Sequence, residues 1–421
     1  MKPLMSQTLT LAFTLALGAG LATSFAIAPA FAKKEKAPAA AKTPAPELSP
    51  AYRKAFTEAQ AAQKIGVVAD FATKISALEP LSIGADEKYY LGVMRFELSK
   101  VTKDKPTQRK AVNEMASSGS KLITNLPDLI YNAGAMAYEA GDYPDALAKL
   151  NQADQAGSKD INRYLLGAEA SFKLNQIPAG LATLRKAVDQ QKASAQAVPQ
   201  DWYRRAVGMS MKGKLNGELT NWSMDMVRAY PSATNWRDAL VLYRDGAKLD
   251  PLVQLDVFRL MRQTKALAGE KDFYDYAEVA NAKALPGEAK AVIEEGFANN
   301  AVSKTSKPVN EMLALVNGKI ASDKAAVISD EKRGRASATG VIAANTGNAY
   351  LGYGDYPKAI ELLKLALTKG GADNDAVNTR LGIAHAMMGQ KEEARAAFKS
   401  VTGQQRAVVA QFWKLYMDIP A

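Results

Sequence analysis

The sequence has no cysteine and a single histidine, His385. Without cysteine, disulfide bonds, thiolate metal sites and thiol nucleophiles are excluded. With one imidazole, a metal site made of several histidines and any mechanism that needs two imidazoles are excluded as well. We therefore expect no bound metal and no cofactor.

Aromatic residues are also scarce, at 8% of the chain, although 48% of the residues are hydrophobic. Such a chain, visibly rich in alanine, suits closely packed helices better than sheets, which favour β-branched and aromatic residues. After the N-terminal segment, no stretch approaches the roughly 18 consecutive apolar residues that a membrane-spanning helix needs. We expect no transmembrane segment in the mature chain.

Acidic residues are fewer than basic ones. The chain has 43 Asp and Glu and 54 Lys and Arg, which gives a formal net charge of +11. This balance favours an acidic partner, such as an anionic glycan, lipid headgroup or protein, but a basic chain is also simply more soluble. Nucleic acid is not expected, because no basic run interleaved with aromatic residues occurs.

Residues 1–32 have the three parts of a secretory signal peptide: Lys2, a long apolar stretch, and the small residues of Ala30-Phe31-Ala32. They predict cleavage after Ala32 and a periplasmic or secreted location in a Gram-negative bacterium. The length of the apolar stretch leaves an uncleaved N-terminal anchor as the alternative. Residues 33–48 are mostly Ala, Pro and Lys and predict a disordered linker.

The folded part is expected to begin at Ser49-Pro50, an N-cap followed by proline at the first helical position. Beyond it, two segments repeat each other, one starting at Tyr131 and the other at Ala343. They share eight identities at fixed spacing: Gly134, Gly141, Asp142, Tyr143, Pro144, Ala146, Leu150 and Ala153 match Gly347, Gly354, Asp355, Tyr356, Pro357, Ala359, Leu363 and Ala366. A period of this kind indicates repeated helical hairpins.

This pattern resembles the tetratricopeptide repeat, a helix–turn–helix unit of roughly 34 residues. The resemblance implies an all-α fold, a right-handed α-solenoid of antiparallel helical hairpins. Gly134 and Gly347 stand where two helices cross, and the Gly-Asp-Tyr-Pro turn ends one helix and starts the next. Weaker copies keep the same step, so about eight to ten hairpins are expected from Ser49 onwards.

The rhythm of the repeats suggests three parts of the folded chain. Residues 49–299 are expected to form N-terminal repeats, and residues 336–421 a C-terminal repeat pair with a capping helix. Between them, residues 300–335 are rich in Lys, Ser and Asp and predict an irregular insertion or linker.

No catalytic constellation is found. His385 falls in a helix and is best interpreted as a packed residue, because no second imidazole or thiol accompanies it. The adjacent carboxylates Glu294-Glu295 and Glu392-Glu393 point about 100° apart on a helix and are expected to be solvated. We expect a protein that is not an enzyme.

The resemblance also implies a concave groove lined by the first helix of each repeat. The predicted partner-binding side chains are Asp128, Tyr131, Asn132, Tyr138, Glu169, Asn345, Asn348 and Arg380. Asn and Arg at such positions are similar to the family's clamp for a terminal carboxylate. However, Ala344 and Ala376 stand where the clamp has lysine, which favours a groove for a peptide or a helix.

The function expected from these features is an exported, non-catalytic scaffold that binds a protein partner in the cell envelope. One alternative is an envelope protein that binds anionic glycan or lipid through a basic face. Another is a glycan-active α/α enzyme, which would need paired carboxylates converging in one groove.

Overall fold

The computed structural model describes residues 45–419, which form α-helices joined by short connections and contain no strand. The predicted signal peptide, its cleavage site and most of the predicted linker lie outside the described residues. The first helix begins at Pro50, and the Ser49 side chain caps it by accepting a hydrogen bond from the Tyr52 N–H. The Ser-Pro signal therefore marks the start of the first helix, as predicted.

The chain divides into two compact units, and the division falls between Val198 and Pro199. In the N-terminal unit the helices are α1 Pro50–Ile65, α2 Val68–Leu78, α3 Ala85–Thr102, α4 Lys105–Ser117, α5 Leu126–Glu139, α6 Tyr143–Gln155, α7 Asn162–Lys173 and α8 Ile177–Ala193. They form four consecutive hairpins, and each hairpin packs against the next.

The C-terminal unit contains twelve helices within the described residues. They are α9 Gln200–Lys212, α10 Asn216–Ala229, α11 Ala233–Gly246, α12 Pro251–Gln263, α13 Gly269–Ala282, α14 Pro286–Ala298, α15 Lys307–Ala336, α16 Val341–Tyr353, α17 Tyr356–Lys369, α18 Asn374–Met387, α19 Lys391–Lys399 and α20 Gln404–Asp418. Over residues 45–419, the α-helices form nine consecutive pairs, and only α15 and α20 do not belong to a pair. The predicted all-α class and hairpin architecture are confirmed.

The two strong repeat copies form the same structure, one in each unit. Gly141 and Gly354 connect their helices with φ of +79° and +78°, in the left-handed region that favours glycine. The following aspartates, Asp142 and Asp355, then cap α6 and α17 through their side chains. The shared Gly-Asp-Tyr-Pro sequence is therefore a turn with one geometry in both places.

The paired helices approach closely where the repeat has its first glycine. A Cβ atom at Gly134 would lie 2.9 Å from the Leu150 Cγ, and one at Gly347 would lie 2.9 Å from the Leu363 Cγ. Both distances are shorter than ordinary van der Waals contact, so any residue larger than glycine would force the facing leucine to shift. The predicted role of these glycines at the helix crossing is confirmed.

The prediction of an irregular insertion at 300–335 is wrong for most of that segment, because α15 is one continuous helix of 30 residues. Its first half packs on α13 and α14, and its second half packs on α16. Most of its polar residues face solvent, which a helix tolerates well, and pairs such as Glu331–Arg335 support it along its length. The boundary between the two compact units also lies at 198/199 and not in this segment.

The last helix, α20, links the two ends of the C-terminal unit. It packs on α18 and α19, as a capping helix would, and also on α10 and α12. The Tyr243 hydroxyl on α11 donates to the Gln405 main-chain oxygen at 2.7 Å. Phe412 and Trp413 are fully buried between these elements. The start and the end of this unit are therefore in direct contact.

Among the described residues, no helix combines the length and the apolar character needed to cross a membrane.

Candidate functional site

The residues predicted to line a groove belong to two different units. Five of them (Asp128, Tyr131, Asn132, Tyr138 and Glu169) lie on α5 and α7 of the N-terminal unit, and three (Asn345, Asn348 and Arg380) lie on α16 and α18 of the C-terminal unit. Asn345 is exposed, and Asp128, Asn132 and Tyr138 are half-buried. These four retain surface that a partner could contact.

The other four predicted residues, Tyr131, Glu169, Asn348 and Arg380, are buried. Burial and the nearby acidic side chains raise the pKa of the Tyr131 hydroxyl well above its ordinary value. Tyr138 is placed differently, with its ring at 5.5 Å from the ring of Tyr143 in an edge-on contact. A contribution of these residues to partner binding stays a prediction.

The C-terminal unit encloses a pocket of about 170 Å³ that the sequence did not single out. We call it the interior pocket. Four half-buried side chains at its opening are Arg262, Tyr353, Tyr356 and Met387. Its buried walls are Arg259, Tyr276, Glu288, Leu351, Ile383 and Trp413. Helices α12, α13, α14, α16, α18 and α20 therefore meet at this one place.

The polar wall of the interior pocket is a hydrogen-bonded ion pair between Arg259 and Glu288. The Arg259 guanidinium donates to Glu288 twice, from Nε at 2.8 Å and from Nη2 at 2.7 Å. The Tyr276 hydroxyl donates to the same carboxylate at 2.7 Å. Burial alone would lower the pKa of Arg259, but the Glu288 charge outweighs it and the net change is upward. For Tyr276, burial and the Glu288 charge together raise the hydroxyl pKa well above its ordinary value.

Behind this pair lies a second buried carboxylate, Asp256 on α12. It accepts from Arg259 Nη1 at 2.9 Å and from Arg406 Nη1 of α20 at 2.7 Å, while Arg380 Nε of α18 is 3.9 Å away. These five residues, the buried charge cluster, carry three positive and two negative charges. The cluster joins helices that are up to 150 residues apart in the chain.

Arg380 is the least satisfied member of the buried charge cluster. Its Nε and Nη2 find no hydrogen-bond acceptor among the described residues. Burial, followed by the like charges of Arg259 and Arg406, lowers its pKa to about 10, although the Asp256 charge opposes this. The side chain predicted as a groove contact is thus buried inside the unit, where its positive charge is only partly compensated.

Two glycines bring α14 and α16 together beside the interior pocket. A Cβ atom at Gly287 would lie 2.1 Å from the Tyr353 Cε1, and one at Gly352 would lie 2.9 Å from the Glu288 Oε2. The Tyr353 hydroxyl in turn donates to Asp323 of α15 at 2.5 Å. The ring at the pocket opening is therefore fixed from both sides.

The interior pocket has one acidic side chain among its lining residues. Its single carboxylate, Glu288, accepts three hydrogen bonds, two at Oε1 from Arg259 and Tyr276 and one at Oε2 from Arg259. His385 is buried, and its Nδ1 lies 2.5 Å from Gln390 Oε1, consistent with a packed histidine. Within residues 45–419, no group of three acidic or histidine side chains is placed to hold a metal ion.

One sequence signal could have led to this site. Helix α12 is almost entirely apolar on its buried side, yet Asp256 and Arg259 stand three residues apart within it. Charged residues in such a helix need partners, because an unpaired buried charge is very costly. The partners themselves lie on α14, α18 and α20, and no local pattern connects them.

A family model of the tetratricopeptide repeat matches residues 350–417. The tetratricopeptide repeat resemblance is thereby supported. The matched segment runs from the end of α16 to α20 and includes the Gly-Asp-Tyr-Pro turn of the second copy. It also contains Tyr353, Tyr356 and Met387 at the opening of the interior pocket.

Solved structures that resemble the chain do so weakly. A tetratricopeptide repeat protein from Parabacteroides merdae is 10% identical with a TM-score of 0.27, over 79% of this chain and 99% of that one. The TPR2AB domain–pHSP90 complex of yeast Sti1 is 12% identical with a TM-score of 0.24, over 69% and 97%. Yeast Tom70 is 9% identical with a TM-score of 0.22, over 79% and 89%. Scores this low carry no weight for function, and no curated protein matches the chain significantly.

Proposed function

We propose that the chain is an exported, non-catalytic scaffold that binds a protein partner in the bacterial cell envelope. The interior pocket is the observation that carries this proposal. Its opening presents an arginine, two tyrosines and a methionine on a rigid helical frame. These residue types are enriched at protein–protein contacts, where a few of them contribute most of the binding energy.

The state of the charges in the interior pocket supports binding over catalysis. Arg262 at the opening pairs with Glu295 at 2.5 Å, and this pair is partly exposed, so an incoming acidic side chain can compete for it. The negative charge of Glu288, in contrast, is already balanced by an ion pair in the pocket wall. The glycan-active alternative requires two converging carboxylates, and the interior pocket has only Glu288.

Site-specific photo-crosslinking in intact cells tests the partner site. A photoreactive residue at Met387 is expected to capture a protein partner, and Arg262→Glu is expected to reduce the yield at least fivefold. The matched control is the same photoreactive residue at Ile328, which is 57% exposed on α15. Equal adducts at both positions, or none at Met387, would contradict a partner site here. Adducts at Tyr138 alone would move the site to the predicted groove of the N-terminal unit.

The proposed location has its own test. If the leader is cleaved after Ala32, N-terminal sequencing of the chain from a periplasmic fraction reads from Lys33. An intact leader in the membrane fraction would favour the anchored alternative. Recovery from the cytosol with the leader intact would overturn export.

Binding to anionic glycan or lipid through a basic face stays the alternative, and it rests on the net charge of +11. Retention on anionic vesicles that is lost at about 0.5 M salt would favour it, because screening weakens exposed charge contacts.

A further inference from the structure

A second cavity, of about 420 Å³, lies in the C-terminal unit where α20 meets α10 and α11. It shares no lining residue with the interior pocket. Its volume falls within the roughly 300–1,000 Å³ that is typical of ligand sites. We call it the amide cavity, because its polar lining includes Asn216, Asn221, Gln404, Gln405 and Gln411.

The amide cavity contains no charged side chain. In a chain that is 23% charged, this absence distinguishes it from the surrounding surface and argues against an ionic ligand. Leu242 and Val408 supply apolar surface beside the amides. The site therefore suits a ligand that is neutral, rich in hydrogen-bonding groups and partly apolar.

The walls of the amide cavity are held in place by hydrogen bonds from α20 to α11 and to the connection between α11 and α12. The Gln405 main-chain oxygen accepts from the Tyr243 hydroxyl at 2.7 Å. The Gln405 side chain accepts from the Asp250 N–H at 3.2 Å and donates to the Ala247 oxygen at 3.4 Å. This glutamine therefore fixes the wall, while the exposed Asn216, Asn221, Gln404 and Gln411 are open to a ligand.

We propose that the amide cavity binds an extended, uncharged peptide segment. Each side-chain amide has donors and an acceptor, which match the N–H and C=O groups that an extended main chain offers. A saccharide would instead be expected to stack on an aromatic face, and the one aromatic residue here, Tyr243, is only 9% exposed. Small apolar side chains of the peptide lie against Leu242 and Val408. This site is independent of the interior pocket.

Two glycines of the lining allow the cavity to be filled without disturbing the fold. A Cβ atom added at Gly217 or Gly246 would meet no atom within 4 Å. The double variant Gly217→Leu/Gly246→Leu therefore occupies the cavity while leaving the core intact. Gly318→Leu is the matched control, because Gly318 is also helical and a Cβ there also meets nothing within 4 Å.

The test is selection of a random heptapeptide phage library on the full chain. Enriched peptides are expected to be depleted in Asp, Glu, Lys and Arg. Binding of an enriched peptide, measured by fluorescence polarisation, should weaken at least tenfold in the double variant and stay unchanged in Gly318→Leu. Asn221→Ala and Gln411→Ala should each weaken it about threefold to tenfold, as expected for the loss of one or two hydrogen bonds.

Several outcomes would overturn the assignment. These are a selection that enriches nothing, one that enriches charged peptides, and peptides whose binding is the same in the double variant. A neutral oligosaccharide that binds on a glycan array, and is lost in the double variant, would reassign the cavity to glycan. Cross-linking at Met387 should be unchanged in the double variant, so this proposal and the partner site fail separately.

Discussion

At the scale of single residues, one missing side-chain carbon sets the distance between two helices. A Cβ atom at Gly347 would lie 2.9 Å from the Leu363 Cγ and 3.3 Å from the Ala359 oxygen. Leu363 is fully buried, so a shift of its side chain would disturb the atoms packed around it. The tetratricopeptide-like hairpin α16/α17 therefore depends on glycine at this position.

Gly347→Ala is expected to lower the free energy of unfolding by about 1–3 kcal/mol, because the added carbon overpacks the helix crossing. Gly318→Ala, the control on the exposed side of α15, is expected to raise it by about 0.5–1 kcal/mol through helix propensity. Urea unfolding followed by circular dichroism measures both. A gain of stability in both variants would show that α16 and α17 are not in close contact.

The same scale shows what sequence reasoning could and could not reach. The glycines, the turn residues and the Ser49 cap were predictable, because their roles depend on neighbours a few residues away. Arg380 was predicted as a groove residue, yet it is buried beside Asp256. The repeat register predicts on which helix a side chain lies. How deeply Arg380 is buried depends on α12 and α20, and no local sequence pattern shows that these helices pack against it.

At the scale of secondary-structure elements, α15 is the main departure from expectation. Its apolar residues Val309, Met312 and Val316 have helical spacing, but the next buried apolar residue is Val327. The middle of the helix therefore lacks an apolar face, and the composition of the segment alone predicted an irregular insertion or linker. Polar contacts support this middle part instead, because Lys319 donates to Asn281 of α13 and Asp323 accepts from Tyr353 of α16.

One of these contacts predicts a pH dependence. Glu331 of α15 accepts from the Tyr350 hydroxyl at 2.6 Å and pairs with Arg335 and Lys358. The hydrogen bond from Tyr350, followed by the one from Arg335, lowers the pKa of Glu331 from 4.5 to about 2. A pKa lowered in the folded state means that the stabilisation is complete above about pH 4.5 and is lost as the pH falls towards 2.

Glu331→Gln is therefore expected to destabilise the chain at pH 6, and the difference from the wild type should shrink steadily between pH 4.5 and pH 2. Thermal unfolding across this range measures it. The same replacement at exposed Glu278 on α13 corrects for the removal of a surface carboxylate. A difference that is constant from pH 6 to pH 2 would contradict the role given to Glu331.

At the scale of the whole molecule, the chain is not a uniform series of repeats. It has two compact units, and in the C-terminal unit α20 returns to α10 and α12. Simple repeat arrays depend on contacts between neighbours. Here a contact over 150 residues, from Arg406 to Asp256, adds a long-range constraint that also supports the interior pocket and the amide cavity.

Asp256 is the centre of this constraint, because it neutralises Arg259 and Arg406 and is the carboxylate nearest to Arg380. Asp256→Asn leaves three buried arginines with Glu288 alone and is expected to cost about 3–5 kcal/mol, the usual penalty for an uncompensated buried charge. Asp418→Asn is the control, since Asp418 on α20 pairs with Arg395 at the surface, where about 0–1 kcal/mol is expected.

Hydrogen exchange locates the effect. If Asp256 fixes α20 to the start of the unit, amides of α20 and α12 exchange faster in Asp256→Asn and keep their wild-type rates in Asp418→Asn. Equal protection of α20 in all three proteins would mean that apolar packing around Phe412 and Trp413 closes the unit without help from charge. In that case the buried charge cluster would contribute to the shape of the interior pocket and not to the closure.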